Sequence, residues 1–150
     1  MVRSAFRFRH FALATSAGTF VLILLGVYTG AIGAGLACEA RWPFCDGWMG
    51  LFPANWPSFV EWFHRLVAMI VGFMILGLLY GSWRYYQQTR IRAGATLAVL
   101  VLPIQIVLGG GTVLQYSPEI TTLHHAAALV IFTGVLATTL WIYEVDRGDE

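Results

Sequence analysis

The sequence contains no lysine and few charged residues of any kind. Charged residues make up 11% of the 150 residues, whereas hydrophobic residues make up 58%. Soluble domains carry roughly 25% charged residues, so this chain has too little polar surface to cover itself in water. The composition argues against an ordinary soluble domain. It indicates a single domain, residues 1–150, that has lipid as its solvent.

The chain also lacks the features of nucleic-acid-binding and iron–sulfur proteins. Its net charge is only +1, and no run of basic residues with interleaved aromatics occurs, which argues against a nucleic-acid partner. It has two cysteines, too few to provide the four cysteine ligands of an ordinary iron–sulfur cluster. There is no CxxC motif, and no CxxCH motif for covalent heme attachment.

Four segments are long and apolar enough to cross a bilayer core, which takes about 20 residues. The predicted spans are Phe11–Leu36, Trp62–Trp83, Ala93–Leu114 and Thr122–Tyr143. The first follows several basic residues, as a signal peptide would, but its apolar stretch is too long for a signal core. The sequence therefore predicts an all-α integral membrane four-helix bundle.

Arginine is distributed unequally over the segments that join the predicted spans. One side of the membrane would carry Arg41 and Arg65 alone. The other side would carry the remaining arginines, which are Arg3, Arg7, Arg9, Arg84, Arg90, Arg92 and Arg147. The positive-inside rule then predicts a multi-pass cell-membrane protein with both termini cytoplasmic and the cysteine-containing loop on the outer side.

Two histidines stand at matching depths, about one turn inside the predicted outer surface. His64 opens the second span and His124 opens the fourth, and a weak internal repeat aligns them. Imidazole is an axial ligand of heme iron, and ionisable groups at membrane depth are functional candidates. Small residues follow each histidine, which suits a flat porphyrin, and they are Ala68, Gly72, Ala127 and Ala128. The alternative is a pair of interfacial histidines bonded to headgroups or loop carbonyls.

His125 is the neighbour of His124 and cannot face the same iron, because adjacent helical residues point about 100° apart. The repeat aligns His125 with Arg65, so His124 is assigned as the ligand. His125 and Arg65 are then candidates for contact with heme propionates, and snorkelling of Arg65 toward the interface is the simpler alternative.

Glu61 lies one turn before His64 on nearly the same helix face. Its carboxylate could bond a pocket group, relay protons or stabilise positive charge on a reacting carbon. The simpler interpretation is a solvated residue at a helix start, where a carboxylate suits the macrodipole.

Other candidate residues lie in the outer loop and in the third span. Cys38 and Cys45 lie on the disulfide-permissive side and could form a structural bridge or a redox pair. Gln105 is polar at membrane depth and needs a partner, and Gly109–Gly111 could allow close approach of a helix or ligand.

Four ordered motifs resemble the heme A synthase family, the membrane enzymes that oxidise heme O for cytochrome oxidases. They are GAGLACEARWPFCDG (33–47), EWFHR (61–65), QIVLGGGTVL (105–114) and LHHAAA (123–128). Two features depart from the family pattern. Members usually have eight spanning helices in two similar halves, whereas this chain has one half. An arginine usual three residues before the glycine matching Gly33 is replaced here by Gly30.

The resemblance implies oxidation of the C8 methyl group of heme O to a formyl group, by successive hydroxylations and dehydration, which gives heme A. It implies that His64 and His124 flank the heme iron, that Glu61 is the key carboxylate and that Cys38 and Cys45 form the loop pair. Heme O synthase and the assembly of cytochrome oxidase are the implied partners.

Two other functions fit the histidine pair equally well, a bis-histidine b-type electron-transfer subunit and a heme-binding assembly factor. Neither requires Glu61 or the cysteine pair. Four helices cover a heme poorly and glycine-rich faces invite contact, so a homo-oligomer is expected, with heme b as a further candidate cofactor.

Overall fold

A computed structural model describes residues 2–39 and 41–148, together with the side chains of residues 8–39 and 41–148. The side chains of Arg3 and Arg7, which contribute to the predicted orientation, lie outside the described part, and so do both ends of the predicted domain.

Four long helices account for most of the described chain. They are α1 Val2–Ala31, α2 Trp56–Tyr85, α3 Thr89–Leu114 and α4 Pro118–Gly148, with a short 3-10 helix at Ala34–Leu36. Each has the length and hydropathy of a membrane span, with mean hydropathy between 1.9 and 2.2 in its apolar part. The predicted all-α membrane bundle is confirmed, and the chain is a multi-pass membrane protein.

The helix ends differ from the predicted spans where local capping decides them. The first span was predicted to reach Leu36, but α1 ends at Ala31 because Gly33 adopts a left-handed conformation with φ +70°. The second helix starts earlier than predicted, since the Asn55 side chain accepts the Ser58 N–H at 3.0 Å. The fourth also starts earlier, because the Ser117 hydroxyl accepts the Ile120 N–H at 3.2 Å.

The helices pack in chain order around the bundle, so that α2 and α4 face each other across its diagonal. Tyr86 donates to Asp146 at 3.0 Å, and Arg90 pairs with Glu144 at 3.0 Å. These contacts bring the end of α2, the start of α3 and the end of α4 together at one end of the bundle, the terminal end. Residues 32–39, 41–55 and 115–117 lie at the opposite end, the loop end.

The apolar core fills the half of the bundle nearest the terminal end. Its buried side chains come from all four helices and are Phe8, Ala12, Val71, Ile75, Leu78, Tyr86, Ile91, Ala95, Ala98, Ile131, Val135 and Ile142. Helices α3 and α4 approach most closely at Gly94 and Gly134, where a Cβ on Gly94 would lie 3.1 Å from the Gly134 carbonyl oxygen. The loop-end half is packed differently.

Candidate functional site

Between the core and the loop end, one level of the bundle has no buried residue on any helix. This open layer comprises residues 20–28 of α1, 62–70 of α2, 99–109 of α3 and 119–130 of α4. Protein interiors are normally close-packed, so a level at which every helix keeps its residues at least partly accessible is packed less tightly than the core. Both His64 and His124 lie in this layer.

His64 rests against a glycine of the preceding helix. A Cβ atom on Gly26 of α1 would lie 3.0 Å from Cε1 of His64, closer than a methyl group and a ring carbon tolerate without displacement. The imidazole of His64 therefore packs directly against Gly26, where only glycine leaves enough space. The Nδ1 atom of His64 is buried and has no hydrogen-bond partner among the described residues.

His124 has the same arrangement in the other helical hairpin. A Cβ on Gly109 of α3 would lie 3.2 Å from Cε1 of His124, and Nδ1 of His124 is likewise buried without a partner in the described chain. The amide nitrogen of Gln105 donates to Nε2 of His124 at 3.2 Å. This contact gives Gln105 the partner that its depth in the membrane demands.

The two half-sites lie on helices α2 and α4, which are diagonal in the bundle. The ring of His125 stands at 88° to that of His124. Its Nδ1 donates to the carbonyl oxygen of Thr121 at 2.7 Å. His64 and His124 thus share one feature, a ring that packs against a glycine of the preceding helix, and their pairing as heme ligands stays a prediction.

Glu61 is buried rather than solvated, with 5% of its surface exposed. Nε of Arg65 donates to its Oε1 at 2.8 Å, one turn along α2. A buried carboxylate requires such a partner, since leaving an ion unpaired away from water is costly. The interpretation of Glu61 as an ordinary solvated residue at a helix start is wrong. Helix α2 begins before the predicted start, and the loop that precedes it covers Glu61.

Arg65 neither snorkels toward the interface nor lies free. Its side chain is 15% exposed, and Nη1 donates to the carbonyl oxygens of Arg41, Pro43 and Phe44 at 2.9, 3.2 and 2.7 Å. Its Nη2 is buried and has no partner in the described part of the chain. One donor group of the guanidinium is thus left to bind a ligand.

The loop that Arg65 holds contains both cysteines, whose sulfur atoms lie next to each other. Cys38 and Cys45 are 0% and 1% exposed. Asp46 lies beside them, but sulfurs joined to each other offer no thiolate to a metal ion. We call residues 37–46 the Cys loop, with Ala40 outside the described residues.

The open layer has the properties that a bis-histidine heme site needs. Two opposed imidazoles leave buried nitrogens unpartnered, and a donor of Arg65 is unspent. A Cβ on Gly72 would meet nothing within 4 Å, so the side of α2 two turns from His64 is open. Ala68, Ala127 and Ala128 are only partly buried. The residues present therefore fit a flat, wide group bound between α2 and α4.

Two functional positions are not evident from the histidine motifs alone. Gly26 precedes its histidine by 38 positions and Gly109 by 15, so the unequal loops hide their equivalence. Trp42 of the Cys loop lies against α3, with its Cδ2 atom 3.5 Å from where a Cβ on Gly110 would stand. The sequence shows the glycine-rich helix ends as a repeat. It does not show which histidine ring each glycine contacts.

Comparison with known proteins identifies the same family as the motifs. The family model of the cytochrome oxidase assembly protein matches residues 9–150. A heme A synthase of Bacillus licheniformis is 34% identical over 139 residues, which cover 89% of this chain and 44% of that protein. A protoheme IX farnesyltransferase of Halobacterium salinarum is 30% identical over 138 residues, which cover 91% of this chain and 29% of that protein.

A heme A synthase of Bacillus mycoides is 28% identical over 138 residues and is covered to 44% of its length. The chain thus spans less than half the length of these relatives. Its match to the family model nevertheless extends through all four helices. The chain belongs to the heme A synthase family of cytochrome oxidase assembly proteins.

Proposed function

We propose that this chain is a heme-modifying oxidoreductase that converts the C8 methyl group of heme O to a formyl group and so yields heme A. One observation carries the proposal. Two glycine-backed histidines lie in the open layer on the diagonal helices α2 and α4, and a buried glutamate lies one turn from the first. Family membership supports the choice of heme as the bound group.

His64 and His124 are the residues that would hold the heme iron. Each imidazole is fixed by a helix other than its own, because Gly26 and Gly109 provide close contacts from α1 and α3. Rigid placement of both rings favours one orientation of the porphyrin plane, and so one position of its reacting methyl group. The heme supplies the redox-active iron when bound.

Glu61 is the proposed catalytic carboxylate. Its burial excludes water, and its ion pair with Arg65 keeps the side chain in one place. A carboxylate held in a low-dielectric site stabilises positive charge developing nearby and can accept a proton. The remaining donor of Arg65 and the imidazole of His125 are proposed to contact heme propionates.

The Cys loop is proposed to lie on the outer side of the cell membrane, with its cysteines joined in a disulfide. The arginine asymmetry supports this orientation, and an oxidising compartment favours the bridge. The adjacency of the two sulfur atoms supports the proposal.

A heme O synthase is the proposed source of the substrate. The relative from Halobacterium salinarum is named for transfer of a farnesyl group to protoheme IX, and this chain matches 29% of its length. A segment like this one is therefore found within a chain of that name. Delivery of the product to the assembling cytochrome oxidase is the corresponding proposal for the next step.

A homo-oligomer is proposed because four helices would leave much of the open layer facing lipid. A second copy would cover that face and provide a second pair of histidines, at which heme b could bind. Native mass spectrometry tests this expectation, and an active species that is only monomeric would refute it.

The histidine pair by itself also fits a b-type electron-transfer protein, which would bind heme without modifying it. The buried Glu61–Arg65 pair favours the enzyme, since electron transfer requires no carboxylate beside the ligand. A heme-binding assembly factor is the third possibility, and it too makes no use of Glu61.

The test is chromatography of hemes extracted from cells that make heme O and express the chain. The unmodified chain is expected to produce heme A. His64→Ala and His124→Ala are expected to abolish heme A because an axial ligand is lost. Bound heme O with no heme A, in the presence of a competent redox partner, would refute the enzyme and favour electron transfer.

A further inference from the structure

Three side chains on one face of α2 are turned toward the Cys loop. Ser58, Glu61 and Arg65 are spaced three and four residues apart, which places them in line along the first turns of the helix. All three are held by contacts with the loop or with each other. His64 directly precedes Arg65 in the same helix. The contacts that hold these three side chains therefore also constrain the position of the proposed heme ligand.

Ser58 anchors both ends of the Cys loop. Its hydroxyl lies 2.8 Å from Oδ2 of Asp46 and 3.1 Å from the carbonyl oxygen of Ala37, and it shares its hydrogen between them. Ala37 precedes one cysteine and Asp46 follows the other. The two ends of the disulfide loop are therefore fixed at one point on α2.

Arg65 holds the middle of the loop. Its Nη1 lies within hydrogen-bond distance of three loop carbonyl oxygens, those of Arg41, Pro43 and Phe44, and shares its two hydrogens among them. These carbonyls lie on both sides of Trp42. The tryptophan ring lies against Gly110 of α3, directly beside the glycine that supports His124. Through the loop and Trp42, the hydrogen bonds of Arg65 thus connect α2 with α3.

The guanidinium suits this role because of its shape. It carries five N–H donors in a rigid planar fork, so it can bond Glu61 through Nε and the loop through Nη1 at the same time. A lysine ammonium could replace the charge but not the fork. Replacing the guanidinium would leave both the loop carbonyls and the buried carboxylate of Glu61 without their hydrogen-bond donor.

We propose that Arg65 is a positioning residue that locks the Cys loop over the loop end of the site, keeping Glu61, Trp42 and the covered disulfide in one fixed arrangement. The lock joins the half-site of His64 on α2 to that of His124 at α3 and α4. Its catalytic meaning rests on the proposed function, whereas the closure of the loop over the disulfide does not.

The test therefore uses the purified, heme-free full chain and measures how fast a hydrophilic phosphine reduces the disulfide, followed by alkylation and intact mass. The unmodified chain is expected to react slowly because both cysteines are buried. Arg65→Met is expected to react at least tenfold faster. Arg65→Lys is expected to lie between the two, since it retains the charge opposite Glu61.

Arg41→Met is the matched control. Arg41 lies in the same loop, but its side chain is 58% exposed and pairs with Glu39, so only its backbone carbonyl takes part in the lock. This variant is expected to react within twofold of the unmodified chain. Equal acceleration by Arg41→Met, an unchanged rate in the Arg65 variants or free thiols in the unmodified protein would overturn the proposal.

Heme-loaded protein provides the second measurement, and it also covers the case in which Arg65→Met fails to fold. Arg65→Lys is expected to keep the bis-histidine absorption spectrum but to lose most heme A formation, because Glu61 and Trp42 are no longer held. Loss of the spectrum instead would overturn the positioning role, because it would show that Arg65 acts mainly by holding the heme. If the unmodified chain makes no heme A, the proposed function fails while the reduction assay still decides the lock.

Discussion

The amide nitrogen of Gln105 donates to Nε2 of His124 at 3.2 Å, whereas Nδ1 of the same ring has no partner among the described residues. A ring nitrogen that accepts a hydrogen bond cannot at the same moment donate its lone pair to iron. Binding of heme through Nε2 of His124 therefore requires this contact to break. If iron binds at Nε2, Gln105 stabilises the heme-free state of the site.

Gln105→Ala is expected to bind heme more tightly than the unmodified chain. An ordinary hydrogen bond contributes about 1 kcal/mol, so its loss from the heme-free state corresponds to about fivefold in affinity. Titration of purified protein with heme, followed by absorbance, measures the change. Gln115→Ala is the control, because Gln115 is exposed at the end of the same helix. Weaker binding by Gln105→Ala would indicate that Gln105 serves the heme-bound state.

Gly26→Ala is expected to lower the affinity for heme and to shift its absorption bands. The added methyl would stand 3.0 Å from Cε1 of His64, so the ring must move by some tenths of an ångström. Gly109→Ala should act in the same way on His124, somewhat less strongly because its distance is 3.2 Å.

Gly30→Ala is the control for Gly26→Ala. A Cβ on Gly30 would meet nothing within 4 Å, and alanine in a helix is favoured over glycine by up to about 1 kcal/mol. This variant is expected to keep full heme binding and to unfold at a slightly higher temperature. A normal spectrum in Gly26→Ala would mean that the glycine supports helix packing alone.

The sequence was sufficient for the four spans, because hydropathy and length decide whether a helix can cross a bilayer. It was less reliable at the helix ends, where single side chains such as Asn55 and Ser117 add whole turns that a hydropathy pattern does not show. The early end of α1 likewise depends on one left-handed glycine, Gly33.

The candidate site could likewise be predicted from the sequence only in part. His64 and His124 could be paired from sequence because their surroundings repeat. The role of Arg65 could not be predicted, since its partners are backbone carbonyls of an irregular loop whose path no periodicity encodes. The burial of Glu61 follows from the same loop. Contacts that depend on loop path become visible only in three dimensions.

The orientation of the bundle can be tested with single cysteines placed at its two ends. Trp48→Cys, at an exposed position near the Cys loop, is expected to react with a membrane-impermeant maleimide in intact cells. Gly148→Cys is expected to react only after permeabilisation, because arginine-rich segments stay in the cytoplasm. Labelling of Gly148→Cys in intact cells would place the termini outside.

His125→Ala is expected to keep a bis-histidine heme spectrum, whereas His124→Ala loses it. The ring of His125 stands perpendicular to that of His124 and bonds the carbonyl of Thr121, while only His124 rests on a glycine opposite His64. Absorbance of the reduced protein separates the two variants. The reverse result would shift the ligand to His125 and break the correspondence between the half-sites.

Glu61→Gln is expected to bind heme O normally and to form very little heme A. Glutamine keeps the size of the side chain and an oxygen that can accept from Nε of Arg65, so the Cys loop stays held. It removes the negative charge and the capacity to take a proton. Removing one electrostatic contact at a transition state lowers a rate on the order of a hundredfold or more, and extracted hemes resolved by chromatography should show this loss.

The matched control is Glu39→Gln, which changes a carboxylate in the adjoining loop whose side chain is 64% exposed and paired with Arg41. Exposed ion pairs contribute little, so heme A formation should be unchanged there. The phosphine reduction rate should also stay near that of the unmodified chain in Glu61→Gln, since the lock is retained. An unchanged heme A yield in Glu61→Gln would exclude a catalytic role for this carboxylate and leave it as the anchor of Arg65.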